Sequence, residues 1–217
     1  MNVTEAVASR RSIRAFLDTP VSDTLLRELL EKSARAPSGG NVQPWQVQVL
    51  NGSRLQDFQQ HLAQQDPREK PAYEIYPQDL PSPYRDSRFK VGEDMYGLLG
   101  IPRDDRAGRF AHLARNFEFF GAPAAFFCLI DRTMGQPQWS DLGMFLQTFM
   151  LLAQEAGLDT CAQEAWATRP QAVTSFLQTP DNLMLFCGMA IGHRDPEAPV
   201  NELVSDRLPL DSWAKWA

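Results

Sequence analysis

The spacing of apolar residues along the chain predicts several amphipathic helices. Between residues 24 and 35, four leucines and an alanine fall on one side of a helix, and charged residues fall on the opposite side. Ser22 and Asp23 precede this segment and can cap its first turn. The same spacing predicts further helices over residues 53–65, 85–99, 104–120, 142–156 and 170–178.

The helix predicted over residues 142–156 is apolar on nearly every side. Such a helix has almost no face for solvent, so we expect it at the centre of the molecule or at a subunit interface. Gln147 and Thr148 interrupt the apolar run, and the N-terminus lacks the apolar core of a signal peptide. We therefore expect neither a membrane protein nor a secreted one, but a cytoplasmic protein.

Four segments have the patterns of strands. Residues 45–50 alternate between apolar and polar side chains, and residues 124–131 form a continuous apolar run, as in a strand buried on both faces. Residues 160–166 and 183–191 are similar. Four strands among six or more helices, with no internal repeat, predict an α+β fold and a single domain over residues 1–217.

Residues 67–83 interrupt this regular pattern. They contain five prolines together with Tyr73, Ile75 and Tyr76, and this proline density excludes a regular helix or a central strand. We predict an excursion from the core. Two interpretations stay open: a lid, or a segment that only wraps the surface.

Composition and charge exclude several functions. With 43% hydrophobic and 22% charged residues, the 217-residue chain is typical of a globular protein, and a net charge of −6 argues against a general nucleic-acid binder. The three cysteines and three histidines are dispersed, which predicts buried thiols and no metal site. Residues 1–40 differ from the rest, because their six Lys and Arg residues outnumber five Asp and Glu. Any anion that the protein binds is therefore expected to involve the N-terminal residues.

A basic cluster follows the first predicted helix. Arg10, Arg11, Ser12 and Arg14 place three guanidinium groups and a hydroxyl within five residues. Arginine suits bidentate recognition of phosphate, and serine adds a neutral donor. The alternative is a solvated basic patch, but apolar Ile13 and Phe16 tie this segment to a core.

A loop with two adjacent glycines joins the helix at 24–35 to the first strand. Its sequence, from Pro37 through Ser38, Gly39, Gly40 and Asn41 to Trp45, can bring backbone N–H groups close to a ligand. The amides of Asn41 and Gln43 suit the edge of a heteroaromatic ring. A hydrolase nucleophile elbow would follow a strand and open a helix, which is the reverse of the order here.

Two further observations narrow the class of protein. Gln163, Glu164, Ala165 and Trp166 end a predicted strand just before a helix, where backbone N–H groups can face a ligand. The sequence contains neither the glycine-rich fingerprint of a dinucleotide-binding fold nor a P-loop. An anion site of a different design is therefore expected.

Taken in order, these motifs resemble those of the FMN-dependent nitroreductase family, and within it the branch similar to nitrobenzoate reductases. The resemblance rests on Arg-Arg-Ser-Ile-Arg at 10–14, Ala-Pro-Ser-Gly-Gly-Asn-Val-Gln-Pro-Trp at 36–45 and Asp-Leu-Gly at 141–143. It continues through Gly-Leu-Asp-Thr at 157–160, Cys-Gly-Met-Ala-Ile-Gly at 187–192, Asn201 and Arg-Leu-Pro at 207–209. It covers nearly the whole chain.

The resemblance implies an intertwined homodimer with a central, mostly antiparallel sheet flanked by helices, and with FMN bound at the subunit interface. By position, Arg10, Ser12 and Arg207 match residues that hold the phosphate and ribityl chain, with Arg11 in the same cluster. Arg14 matches the cation at the pyrimidine edge. Pro37, Ser38, Gly39 and Asn41 match the loop that the other subunit lays against the ring. Glu164 and Ala165 match the strand end that faces the flavin, although the family often has glycine in place of Ala165. Asn116 or Arg115 matches a mid-chain contact.

The resemblance also implies an activity. NADH or NADPH would reduce the flavin and leave, and a nitroaromatic or quinone-like acceptor would then take two electrons in a ping-pong reaction. The chemistry would reside on FMN, without a catalytic side chain. Two alternatives stay open: another FMN enzyme on the same scaffold, such as a reductive dehalogenase or a flavin or quinone reductase, and a non-catalytic flavin-binding protein.

Overall fold

A four-stranded antiparallel sheet forms the centre of the molecule. The computed structural model describes residues 1–216, and its strands lie in the order β1, β2, β4, β3. They are β1 (Gln46–Asn51), β2 (Ala124–Asp131), β3 (Asp159–Gln163) and β4 (Leu183–Gly192). The helices are α1 (Val3–Ser9), α2 (Asp23–Ser33), α3 (Ser53–Ala63), α4 (Tyr84–Leu98), α5 (Arg106–Ala114), α6 (Gln136–Glu155) and α7 (Pro170–Leu177). The α+β prediction is confirmed.

Apolar layers cover both faces of the sheet. On one face, α2 and α6 pack against alternate residues of β2 and β4, with Phe126, Phe145 and Phe149 among the buried side chains. On the other face, α3 and α7 enclose a cluster of aromatic rings around Phe58 and Trp166. The apolar helix α6 therefore buries one side against the sheet, whereas Met144 on it is exposed. Within residues 1–216, no helix is long and apolar enough to cross a membrane.

Three element boundaries differ from the prediction by three or more residues. Helix α5 ends at Ala114 rather than at residue 120, and a 3₁₀ segment over Arg115–Gly121 follows it, in which Phe119 and Phe120 adopt left-handed backbone angles (φ 49° and 55°) and are buried. Strand β3 ends at Gln163, and Glu164–Thr168 form a 3₁₀ turn. Helix α6 begins at Gln136 rather than at 142, since Gln138 caps the N–H of Gly135 with its side-chain oxygen.

The proline-rich excursion is irregular, as predicted, and is anchored firmly at its start. The carboxylate of Glu69 is 4% exposed and pairs with Arg169 at 3.0 Å. It also accepts the N–H groups of Gln171 and Ala172 in the first turn of α7. The N–H of Ala72 donates to the carbonyl of Ala167 at 2.8 Å. Residues 69–72 are therefore fixed to the core on the α7 side.

All three cysteines are buried free thiols, which confirms the sequence interpretation. Burial raises the pKa of the Cys128 thiol to about 12. It also raises the pKa of Cys161 and of Cys187. These thiols are therefore protonated at neutral pH and serve as apolar core residues.

Candidate functional site

The arginine cluster lies along the outer edge of β3. After α1 ends at Ser9, the chain continues in an extended form, with Ser12 beside Thr160 and the N–H of Ile13 bonded to the Thr160 carbonyl at 3.0 Å. Ile13 is fully buried and anchors the segment. The polar residues on either side of it are thus held next to the sheet.

The arginines open into a cavity of about 610 Å³. Five of the predicted site residues line it: Arg10, Arg11, Ser12, Arg14 and, from the C-terminal segment, Arg207. Residues of α1, α4, α6 and the segment 203–205 complete the walls. The structure therefore brings together residues that are almost two hundred positions apart in the sequence.

The cavity is strongly cationic. Burial, and then the neighbouring charge of Arg207, lower the pKa of Arg10. Arg14 donates to the Ser12 carbonyl at 3.1 Å, and Arg207 donates to the carbonyls of Ser205 and Asp206 at 3.0 and 2.8 Å. Among residues 1–216, no carboxylate forms an ion pair with these three arginines. The arrangement suits an anion carrying more than one negative charge.

Asn201 fixes the C-terminal segment beside the arginines. It is buried, its Oδ1 accepts the N–H of Arg14 at 2.9 Å, and its Nδ2 donates to the carbonyls of Ala15 and Asp195. The segment that carries Arg207 follows a few residues later. In the sequence, Asn201 is visible only as part of a motif, and no local signal indicates this positioning role, because its partners lie in distant segments.

Glu164 and Ala165 lie beyond the end of β3, outside the lining of the arginine cavity. Gln163 holds this turn, because its Nε2 donates to the Asn116 carbonyl at 2.8 Å. Partial burial raises the pKa of the Glu164 carboxyl. Because Gln163 bonds to it, Asn116 is the mid-chain candidate that lies beside the turn. The other candidate, Arg115, donates to the Phe120 carbonyl at 3.4 Å.

The loop of Pro37, Ser38, Gly39 and Asn41 lies before β1, at the opposite edge of the sheet from β3. Gly40 and Asn41 have left-handed backbone angles (φ 57° and 58°), and the Ser38 hydroxyl accepts the N–H of Gln43. The loop does not line the arginine cavity of its own chain. One chain thus presents the two halves of the predicted site at separate places.

The two tyrosines of the excursion have different surroundings. The Tyr73 hydroxyl donates to the Phe186 carbonyl, and its ring lies 5.1 Å from that of Trp139. Tyr76 is exposed, lies beneath the guanidinium of Arg88 at 4.0 Å and lines a groove next to the arginine cavity. Tyr73 therefore has the contacts of a structural residue, and Tyr76 remains accessible.

Comparison with known proteins agrees with this geometry. The model of the nitroreductase family matches residues 7–193. A 4-nitrobenzoate reductase of Pseudomonas putida is 42% identical over 207 residues, covering 94% of this chain and 89% of that protein. The solved structure of an FMN and NADPH-dependent nitroreductase NfnB, from sphigopyxis sp. strain HMH, is 47% identical with a TM-score of 0.96. The alignment covers 100% of this chain and 99% of that one.

A more distant solved structure has the same fold. The FMN-dependent nitroreductase NfnB of Mycobacterium smegmatis, in complex with NADPH, is 25% identical with a TM-score of 0.92, and both chains are covered completely. This chain therefore has the fold of the nitroreductase-like flavoproteins. The chain belongs to the nitroreductase family, as its sequence motifs predict.

Proposed function

We propose that the protein is an FMN-dependent NAD(P)H oxidoreductase that reduces nitroaromatic or quinone-like acceptors. The observation that carries the proposal is the cationic cavity, in which Arg10, Arg14 and Arg207 converge beside Ser12. The relative from Pseudomonas putida is a 4-nitrobenzoate reductase, and the solved structure with the same fold is an FMN and NADPH-dependent nitroreductase, which supports the choice of cofactor and substrate class.

The residues of the cavity fit a flavin mononucleotide. A phosphate monoester is a dianion near neutral pH and would offset both causes that lower the pKa of Arg10, its burial and then the neighbouring charge of Arg207. The Ser12 hydroxyl and the Gln147 amide, which also line the cavity, offer neutral partners for the hydroxyls of a polyol chain. The charge and the donor set thus agree with this cofactor.

Each candidate residue has a proposed role. Arg10, Arg11, Ser12 and Arg207 would hold the phosphate and the ribityl chain, and Arg14 would supply positive charge to the pyrimidine edge. Glu164 and Ala165 would direct the backbone N–H groups of the turn after β3 at the flavin. The loop of Pro37, Ser38, Gly39 and Asn41 would cover the flavin ring of a partner subunit. When bound, FMN supplies the transfer of hydride and electrons, so the side chains bind, orient and polarise.

The order of reaction that we propose is ping-pong, with donor and acceptor using the same open face in turn. Either NADH or NADPH is the donor. Tyr76 is the residue of the excursion that we propose to stack a planar acceptor, since its ring is accessible and Tyr73 is fixed in the core. A single domain over residues 1–217 and a cytoplasmic location remain predictions.

The identity of the cofactor is the simplest test of this function. Protein purified and then denatured should release FMN, because the cavity offers cations for one phosphate and the chain has no dinucleotide fingerprint. Chromatography of the released flavin distinguishes FMN from FAD. Recovery of FAD, or failure to bind FMN on reconstitution, would contradict the proposal.

The functional unit that we propose is a homodimer. Large apolar side chains are exposed on several elements of the single chain, including Val3 and Val7 on α1, Phe110 on α5 and Trp213 near the C-terminus. Burial of these side chains against a second subunit would be favourable. A dimer would also bring the loop before β1 of one subunit to the cavity of the other, completing the site.

Sedimentation velocity tests the dimer directly. The protein should sediment as a dimer throughout its working concentration range, with FMN absorbance moving in the same boundary. A monomer that still carries FMN would refute a site shared between subunits.

A further inference from the structure

A buried carboxylate joins the central helix to the glycine-containing loop. Asp141 lies in the second turn of α6 and is 3% exposed. Both of its carboxylate oxygens lie within hydrogen-bonding distance of the Gly39 backbone N–H, at 3.2 and 3.3 Å. The two residues are 102 positions apart, so this contact fixes the loop to a distant part of the chain.

This carboxylate has few partners for a buried charge. Within residues 1–216, Gly39 is the one residue whose N–H donates to the Asp141 side chain, and no Lys, Arg or His pairs with it. Burial of a carboxylate with so little compensation costs free energy. The contact with Gly39 is the interaction that offsets this cost, and it indicates what the side chain does.

Local hydrogen bonds hold the shape of the loop, and the Asp141 contact adds a connection to another element. Asn41 and Gln43 have left-handed backbone angles (φ 58° and 51°), which are costly for residues other than glycine. Bonds from Gln43 to the Ser38 hydroxyl and to the Asn41 carbonyl maintain this shape locally. The Asp141 contact instead connects the loop to the rigid central helix.

We infer that Asp141 is a positioning residue that holds the loop of residues 37–41 where it covers the flavin. The inference rests on the proposed function, in which this loop lies against the ring in a partner subunit. Asp141 acts only through the Gly39 N–H. The loop is therefore pre-organised before the cofactor binds, and the affinity for FMN depends on a residue that contributes no contact of its own.

The wild-type apoprotein provides the first test. The Gly39 amide should exchange slowly with deuterium although its residue is exposed, because it is bonded to Asp141. The amide of Gly40 next to it should exchange rapidly, since the structure gives it no acceptor within residues 1–216. Equal exchange rates for the two amides would overturn the inference without any mutation.

Substitution of Asp141 provides the second test. Asp141→Ala should make the Gly39 amide exchange as fast as that of Gly40 and should raise the Kd for FMN about tenfold, the scale expected for a lost charged hydrogen bond. Asp141→Asn keeps one acceptor oxygen and should restore the Kd to within about threefold of wild type. Asp105→Ala is the matched control, because it removes a carboxylate bond to the N–H of Gly108 at the start of α5, and should leave the Kd unchanged.

The outcomes separate the two claims. If the wild type does not bind FMN, both the proposed function and this inference fail. If the wild type binds FMN and Asp141→Ala binds it equally well, only the inference fails. Faster exchange throughout β2 and β4 in Asp141→Ala would show a general structural role and would also overturn it.

Discussion

Arg10→Ala and Arg207→Ala should each weaken FMN binding by about 1.5–3 kcal/mol, the range for a hydrogen bond to a charged group. The two guanidiniums share one cavity, in which burial and then the neighbouring charge of Arg207 lower the pKa of Arg10. Either substitution removes one cation that a phosphate dianion would need. Titration of the apoprotein with FMN, followed by the quenching of flavin fluorescence, measures the loss.

Arg27→Ala is the matched control for this prediction, since Arg27 lies exposed on α2 and outside the cavity. It should leave FMN affinity unchanged. Thermal unfolding of the apoproteins should show that all three variants retain the fold. If both cavity variants bind FMN as tightly as the wild type, the site has been assigned to the wrong residues.

Glu69→Ala should lower the free energy of unfolding by about 3–5 kcal/mol, the scale for removing one partner of a buried ion pair. The substitution leaves the guanidinium of Arg169, whose side chain is 9% exposed, without its carboxylate. It also removes the acceptor for two N–H groups at the start of α7. Equilibrium unfolding in urea measures the change.

A nearby exposed pair provides the comparison for Glu69. Asp66 pairs with Arg68 at 3.1 Å, but the two side chains are 58% and 87% exposed. Asp66→Ala should therefore have little effect on stability, because solvent already screens this pair. Equal destabilisation by the two substitutions would show that Glu69 does not anchor the excursion through the buried pair.

The regular elements were predictable because local sequence determines them. The run from Ala124 to Asp131 is apolar throughout since β2 lies between two neighbouring strands with both faces covered, and its predicted bounds are confirmed. The leucine spacing of α2 likewise follows from one buried face. In both elements, the burial pattern repeats within the span of the element itself.

Features that depend on distant contacts were not predictable in the same way. The left-handed turns at Phe119 and Phe120 are required by the core into which both rings pack, and the local sequence continues the helical pattern past them. The contacts of Glu69 with Arg169 and of Asp141 with Gly39 each join residues about one hundred positions apart. Polar residues of this kind look like surface residues until the fold shows that they are buried.

The candidate site was predictable only in part. The cluster of Arg10, Arg11, Ser12 and Arg14 is visible as a local motif, whereas Arg207 joined it only through the resemblance to the family. The structure places all five around one cavity. Gln163 and Asn201 were missed as positioning residues, because each acts through bonds to the backbone of a distant segment.

An anaerobic titration of the FMN-loaded protein tests the central claim most directly. NADPH or NADH should bleach the flavin absorbance. Addition of 4-nitrobenzoate, in an amount that can accept two electrons per flavin, should then restore it, because we propose that donor and acceptor exchange electrons through the same site. Recovery only with a quinone, a free flavin or a halogenated acceptor would instead identify another enzyme of this scaffold. Bound flavin that neither nucleotide bleaches would contradict the account and indicate a non-catalytic flavin-binding protein.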